Sequence, residues 1–357
     1  MVEWLAGNRI RGTSAEKPVA SLQSPSVGGW VELARTTLGS AGDAIDVSSL
    51  ADKRYYMVLT NFLNSGSYDA NLRLGSGGTL DTGSNYSDRV EYDGGADVTR
   101  TSQTSAYTYN GGNAYPAFQI DYISNLASKE KLIISEYNRG TSTGAGNAPG
   151  RSQQVAKWAN TSNALDIIGW NNGSAGDYSI GSECVVLGWD DSDTHTTNFW
   201  EELASVNGTG ATSFNSGVFT SKKYLWVQMY IDRSADATNG EITVGNTTLD
   251  TTNNYSRRRS ADGGADDTLI NQPNIALRTA GLKEFYNMFI INNSANEKLI
   301  ILHQNAGGTA GAGNAPYRGE FVAKWANTSS QIDIIGFGSG GSNTLSSTST
   351  MKVWGSD

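Results

Sequence analysis

One unit is written twice in this chain, and the duplication limits what the chain can fold into. Glu130-Lys131-Leu132-Ile133-Ile134 returns as Glu297-Lys298-Leu299-Ile300-Ile301, Gly144–Pro149 returns as Gly311–Pro316, and Ala156–Ser162 returns as Ala323–Ser329. Asp166–Gly169 returns as Asp333–Gly336, and in all four blocks the numbering advances by 167. Upstream, Asn85–Ser87 and Asp93–Asp97 recur at Asn254–Ser256 and Asp262–Asp266 with an advance of 169, while Trp30–Ala34 matches Trp200–Ala204 with an advance of 170. A period this long is several times the roughly 20–50 residues of a solenoid repeat, so each copy is a whole domain. The boundaries expected from it are an arm over residues 1–29, one repeat over 30–189, a polar linker over 190–199 and a second repeat over 200–357.

The class of each copy follows from its punctuation. Apolar runs rich in β-branched and aromatic residues, such as Tyr55–Leu63, Ala117–Ile123, Lys131–Tyr137 and Cys184–Trp189, are short and bounded by Gly, Asn, Asp or Ser. Their counterparts in the second copy include Tyr224–Ile231, Phe285–Ile291, Lys298–His303 and Met351–Trp354. Without helical periodicity, about eight such runs per copy predict an all-β chain of two tandem antiparallel β-sandwich domains, jelly-roll-like, behind an N-terminal arm. A single sheet would leave one apolar face in water.

Charge and composition exclude several function classes. A net charge of −9 lacks the basic footprint that phosphate neutralisation requires, so no nucleic-acid partner is expected. No stretch approaches the roughly 18 apolar residues of a membrane span, and the N-terminus carries no signal-peptide core. The single Cys184 lies in an apolar run and is expected to be packing rather than a reactive thiol. Sequons at Asn85, Asn160 and Asn327 are what a chain rich in Asn, Ser and Thr contains by chance.

Candidate sites are few. His195 stands in the linker and His303 aligns with Glu136, so no catalytic triad or zinc site is expected, and no P-loop or HExxH pattern occurs. The glycine-rich loop Gly144–Pro149 and its twin read as turns between strands rather than phosphate cradles. The acidic turns around Asp81, Asp93 and Asp97, with Asp250, Asp262 and Asp266, are weak Ca²⁺ candidates. They lack EF-hand spacing, and turn capping by Asp and Asn side chains is the stronger reading. A glycosidase would need two facing carboxylates. Of Glu130, Glu136, Asp166 and Glu183, only Glu130 and Asp166 are duplicated, and no catalytic residue is assigned. Trp158 and Trp325 read as core residues in preference to sugar-stacking platforms. In the arm, Trp4 and Leu5 are candidate assembly anchors, with Arg9 and Arg11 as polar clamps.

The phrase Trp4–Glu16, the doubled Lys-Trp-Ala-Asn-Thr-Ser, Val186–Asp190 and Asp193–Ala204 resemble duplicated proteins encoded by environmental, largely marine, tailed viruses. The resemblance spans nearly the whole chain. It implies a virion structural component and offers no catalytic residues to carry over; independently of it, the residues point to no cofactor. Together these readings lead to the expectation of a non-enzymatic building block: a capsid decoration or cement protein, a spike or a tail-fibre part. It would be a symmetric homo-oligomer, taken as a trimer, partnered by other virion proteins. The alternative is a carbohydrate-binding module that recognises a host glycan.

Overall fold

The computed structural model describes residues 29–111, 114–190, 193, 198–235, 240–277, 283–307 and 312–357. The assembly candidates Trp4, Leu5, Arg9 and Arg11, together with His195, lie outside the described residues. The chain divides into two compact units: Met1–Arg139 with Ser152–Phe199, and Gly140–Arg151 with Trp200–Asp357. By contact, residues through Phe199 group with unit 1 and Gly140–Arg151 with unit 2. Of the expected linker, Asp190, Asp193 and Phe199 bond within unit 1: Asp193 pairs with Lys53, and Phe199 N–H donates to Trp30 O. The segment Gly140–Arg151 belongs to unit 2.

Each unit is a two-sheet antiparallel sandwich, and no helix occurs among the described residues. The larger sheet of unit 1 runs from edge to edge as β1 (Val31–Thr37), β13 (Glu183–Trp189), β3 (Tyr55–Phe62), β9 (Ala117–Ser124), β10 (Lys131–Arg139), β11 (Gly150–Trp158), β6 (Tyr86–Tyr92) and β7 (Val98–Gln103). The smaller runs β2 (Ala44–Val47), β12 (Ile167–Asn171), β4 (Tyr68–Ser76) and β5 (Thr79–Leu80), with β8 (Ala106–Gly111) also on β4.

Unit 2 repeats the plan. Its larger sheet is β14 (Glu201–Asn207), β26 (Thr350–Ser356), β16 (Tyr224–Asp232), β22 (Lys283–Ile291), β23 (Lys298–Gly307), β24 (Tyr317–Trp325), β19 (Tyr255–Ala261) and β20 (Asp267–Gln272). Its smaller sheet is β15 (Ser213–Asn215), β25 (Ile334–Gly338), β17 (Glu241–Asn246) and β18 (Thr248–Leu249), with β21 (Ile275–Ala276) on β17. The additional strands beyond the eight expected per copy are mostly short or polar edge strands. β7 is one: its Val-Thr-Arg-Thr-Ser-Gln carries almost no apolar signal, and its residues are exposed or half-buried.

Alternation sets the two faces. In unit 1 Tyr56, Val58 and Phe62 of β3, Ile133 and Tyr137 of β10 and Ala156 and Trp158 of β11 meet Leu72 and Leu74 of β4 and Ile168 and Trp170 of β12. Two hydroxyls tie the layers. Tyr86 OH donates to Leu74 O at 2.8 Å and accepts from Leu74 N at 2.9 Å, and Tyr255 does the same at Val244. Buried hydroxyls satisfied in this way avoid the cost of an orphaned polar group. Gly75, where β4 turns into β5, admits no side chain, because a Cβ would lie 2.0 Å from Thr79 O; Gly245 repeats this against Thr248 O at 1.9 Å.

Candidate functional site

The acidic turns do not converge. Asp81 accepts from Gly83 N at 2.8 Å, Asn85 Nδ2 at 2.8 Å and Trp158 Nε1 at 2.7 Å. Asp250 likewise accepts from Thr252 N, Asn254 Nδ2 and Trp325 Nε1. Burial alone would raise both carboxyls, but these hydrogen bonds outweigh it and hold each below the ordinary carboxylate range. They are turn caps that also satisfy the indoles of the two buried core tryptophans, Trp158 and Trp325. Asp93 and Asp262 occupy left-handed turn positions at φ 50° and 52°. Asp93 pairs with Arg139 at 2.7 Å, and Asp262 accepts from Arg318 N at 2.9 Å. Asp97 faces Arg89 at 3.5 Å, and Asp266 holds Arg151 at 2.8 Å. Among the described residues no group of three or more His, Cys, Asp or Glu could hold a metal ion.

The carboxylates weighed for glycoside cleavage are equally dispersed. Glu130 pairs with Lys157 at 3.0 Å, Glu136 accepts from Gln153, Asp166 caps the Gly77-Gly78 turn, and Glu183 accepts from Thr37 and faces Arg35. Asp121 is a strongly perturbed acid that the strand pattern did not single out. Burial raises its carboxyl to about 7, against the opposing hydrogen bonds from Ser135 Oγ at 2.6 Å and Gln119 Nε2 at 2.7 Å. It points into the sandwich on the same side of β9 as Ala117 and Ile123, sealed from solvent. An acid that no substrate reaches is a structural group.

What remains on the surface is an apolar face. The side of the larger unit 1 sheet turned away from the core carries Leu132 and Ile134 on β10 and Val155 on β11, exposed by 55%, 53% and 53%. Two open grooves run along it. One, of ≈ 460 Å³, is bordered by Ser87, Arg89, Thr101, Leu132, Val155 and Lys157. The other, of ≈ 570 Å³, is bordered by Trp30, Tyr55, Tyr122, Ile134 and Trp189. Tyr55 and Trp189 stack there with centroids 5.5 Å apart.

Unit 2 treats the same face differently. Leu299, Ile301 and Val322, the counterparts of the three exposed aliphatics, are buried. Here the segment Gly140–Arg151 is seated. Gly144 N–H donates to Glu297 Oε1 at 2.5 Å, and Lys324 Nζ donates to Ser142 O at 2.6 Å. Asn271 N–H donates to Ala145 O at 2.8 Å, Ser256 Oγ to Asn147 O at 2.9 Å, and Arg258 Nε to Pro149 O at 3.0 Å. At its end Arg151 meets Asp266 with both side chains almost fully buried. The loop read from sequence as a turn between strands does join β10 to β11, and it is also seated against unit 2 side chains. Its recurrence as Gly311–Pro316 was the only signal that pointed to it.

No family model and no curated protein sequence matches the chain. Among solved structures, it is similar to domains LG4-5 of the mouse laminin alpha1 chain at 10% identity, covering 94% of this chain and 93% of that one with a TM-score of 0.20. It is also similar to human GIVD cytosolic phospholipase A2 at 8% identity, covering 85% of this chain and 33% of that one with a TM-score of 0.13. Overlaps this weak carry no functional argument.

Proposed function

We propose that this protein is a non-enzymatic structural component that builds a particle by packing sheet faces and loops against neighbouring subunits. Its place would be the virion, as a capsid decoration or cement protein, a spike or a tail-fibre part, with copies of itself and other virion proteins as partners. The observation that carries the assembly reading is the exposed apolar face of unit 1, whose unit 2 counterparts are buried. Fully burying a Leu, Ile or Val contributes about 1.5–3 kcal/mol. With roughly half of each side chain still in water, covering all three leaves roughly 3 kcal/mol to be gained on contact. An aliphatic surface of this kind suits a protein partner better than a polar ligand. The viral setting comes from the resemblance of the repeated phrases. The test is analytical ultracentrifugation of the purified chain combined with mass spectrometry of purified particles. A chain that stays monomeric at every concentration and is absent from particles ends this reading.

One observation favours a second reading, binding of a host glycan. The Tyr55–Trp189 stack borders an open groove, and aromatic rings are the usual platform for the apolar face of a sugar. Glycan-array binding that is lost on Trp189→Ala and retained on Val155→Ala would favour it over pure assembly.

A further inference from the structure

Most parts of the contact that unit 2 makes with segment 140–151 recur in the same chain, although Glu320, the second acid facing Arg151, is replaced by Gln153. The twin loop, residues 312–318, repeats Ala-Gly-Asn-Ala-Pro and the arginine that follows, and all seven of its residues are exposed. Arg151 is 3% exposed in its ion pair with Asp266, whereas its twin Arg318 is 60% exposed. The receiving groups are duplicated as well. Asp97, half exposed, is the counterpart of Asp266, while Ser87 and Arg89 are the counterparts of Ser256 and Arg258. Ser102 lies at the same left-handed bulge, φ 54°, as Asn271 at φ 51°. The groove bordered by Ser87, Arg89 and Thr101 lies where the equivalent loop sits in unit 2.

We infer that the loop 312–318 of one copy docks on the outward face of unit 1 of a second copy, repeating the contact that segment 140–151 makes within unit 2. This rests on the assembly reading above and adds its surfaces and polarity. Arg318 would pair with Asp97 of the neighbour, and the loop would cover Leu132, Ile134 and Val155. Within the loop, Tyr317 replaces Gly150, which adds apolar surface to the element that meets an apolar face. Because the loop and the face are different surfaces, the contact is heterologous. Copies joined this way close into a ring or run on as a filament.

Charge exchange tests this without touching the folded core, since both residues are exposed. Arg318→Asp and Asp97→Arg should each weaken self-association by about tenfold or more in sedimentation velocity, because each sets like charges against one another. Mixing the two single variants should restore association, because each then offers the charge the other lacks. The double variant should also associate. If the wild type associates but neither variant weakens it, or if mixing fails to restore it, the proposed contact is wrong and the assembly reading stands. A wild type that is monomeric throughout overturns the proposed contact, and the assembly reading falls with it where the chain is also absent from purified particles.

Discussion

Replacing Asp121 by Asn should remove a pH dependence that the wild-type fold carries. The acid lies on the inner side of β9 with its charge unpartnered by any cation among the described residues: Oδ1 accepts from Ser135 and Gln119, and Oδ2 has no partner. Burial raises its carboxyl from 3.8 to about 7. A group whose pKa is higher in the folded state stabilises fully below its unfolded pKa, and that contribution is lost as pH rises through the folded one. At 1.36 kcal/mol per unit the loss between pH 4 and pH 7 is about 4 kcal/mol, an upper bound because a strained site admits water or relaxes. The amide of the Asp121→Asn variant is neutral throughout. Urea unfolding followed by tryptophan fluorescence reads unit 1 through Trp158 and Trp170, both buried in its core. Near pH 4 the variant should be no more stable than wild type, because an amide donor replaces the unpartnered oxygen. By pH 8 it should be more stable by about 2–4 kcal/mol. Stability curves that stay parallel from pH 4 to pH 8 would show that Asp121 does not titrate in this window, and the burial argument would fail. The second copy supports the reasoning, because Met288 occupies the equivalent position in the unit 2 core.

Two further outcomes are expected. In unit 2, Arg233 and Glu284 are 2.7 Å apart and both buried, with Tyr286 OH also donating to Glu284. Arg233→Ala should cost about 3–5 kcal/mol in chemical denaturation by stranding that carboxylate, whereas the Arg233→Met, Glu284→Leu pair should cost much less; equal losses would refute the stranded-charge account. Cys184 is fully buried and its thiol is pushed up to about 12 by burial, so a thiol reagent should label it only as fast as the protein unfolds. Prompt labelling of native protein would contradict that placement.

The duplication, the all-β class and the core tryptophans were legible in the sequence because each depends on local pattern. Repeated phrases need only alignment, and short β-branched runs between Gly, Asn and Ser need only the chain's own backbone preferences. The capping role of Asp81 and Asp250 was legible for the same reason, since an Asx turn is closed by residues two positions away. β7 was missed as a strand because its edge position asks for no apolar alternation. In β9 the strand is legible but its inner face is not. The alternation of Phe118, Ile120 and Tyr122 suggests that those residues face the core, yet Ala117, Gln119, Asp121 and Ile123 do. A strand covered on both faces leaves hydrophobicity unable to choose between them.

The sequence alone therefore determined that one sandwich was made twice, since a 167-residue offset is a property of the string. Only the tertiary structure decided how the two copies differ. Leu132 and Leu299 sit in the same pentapeptide, yet one is 55% exposed and the other 1%. The physical reason is that burial belongs to what lies opposite a side chain, which local pattern does not encode; on the unit 2 face, Ser256, Arg258 and Lys324 bond to a segment more than a hundred residues away along the chain.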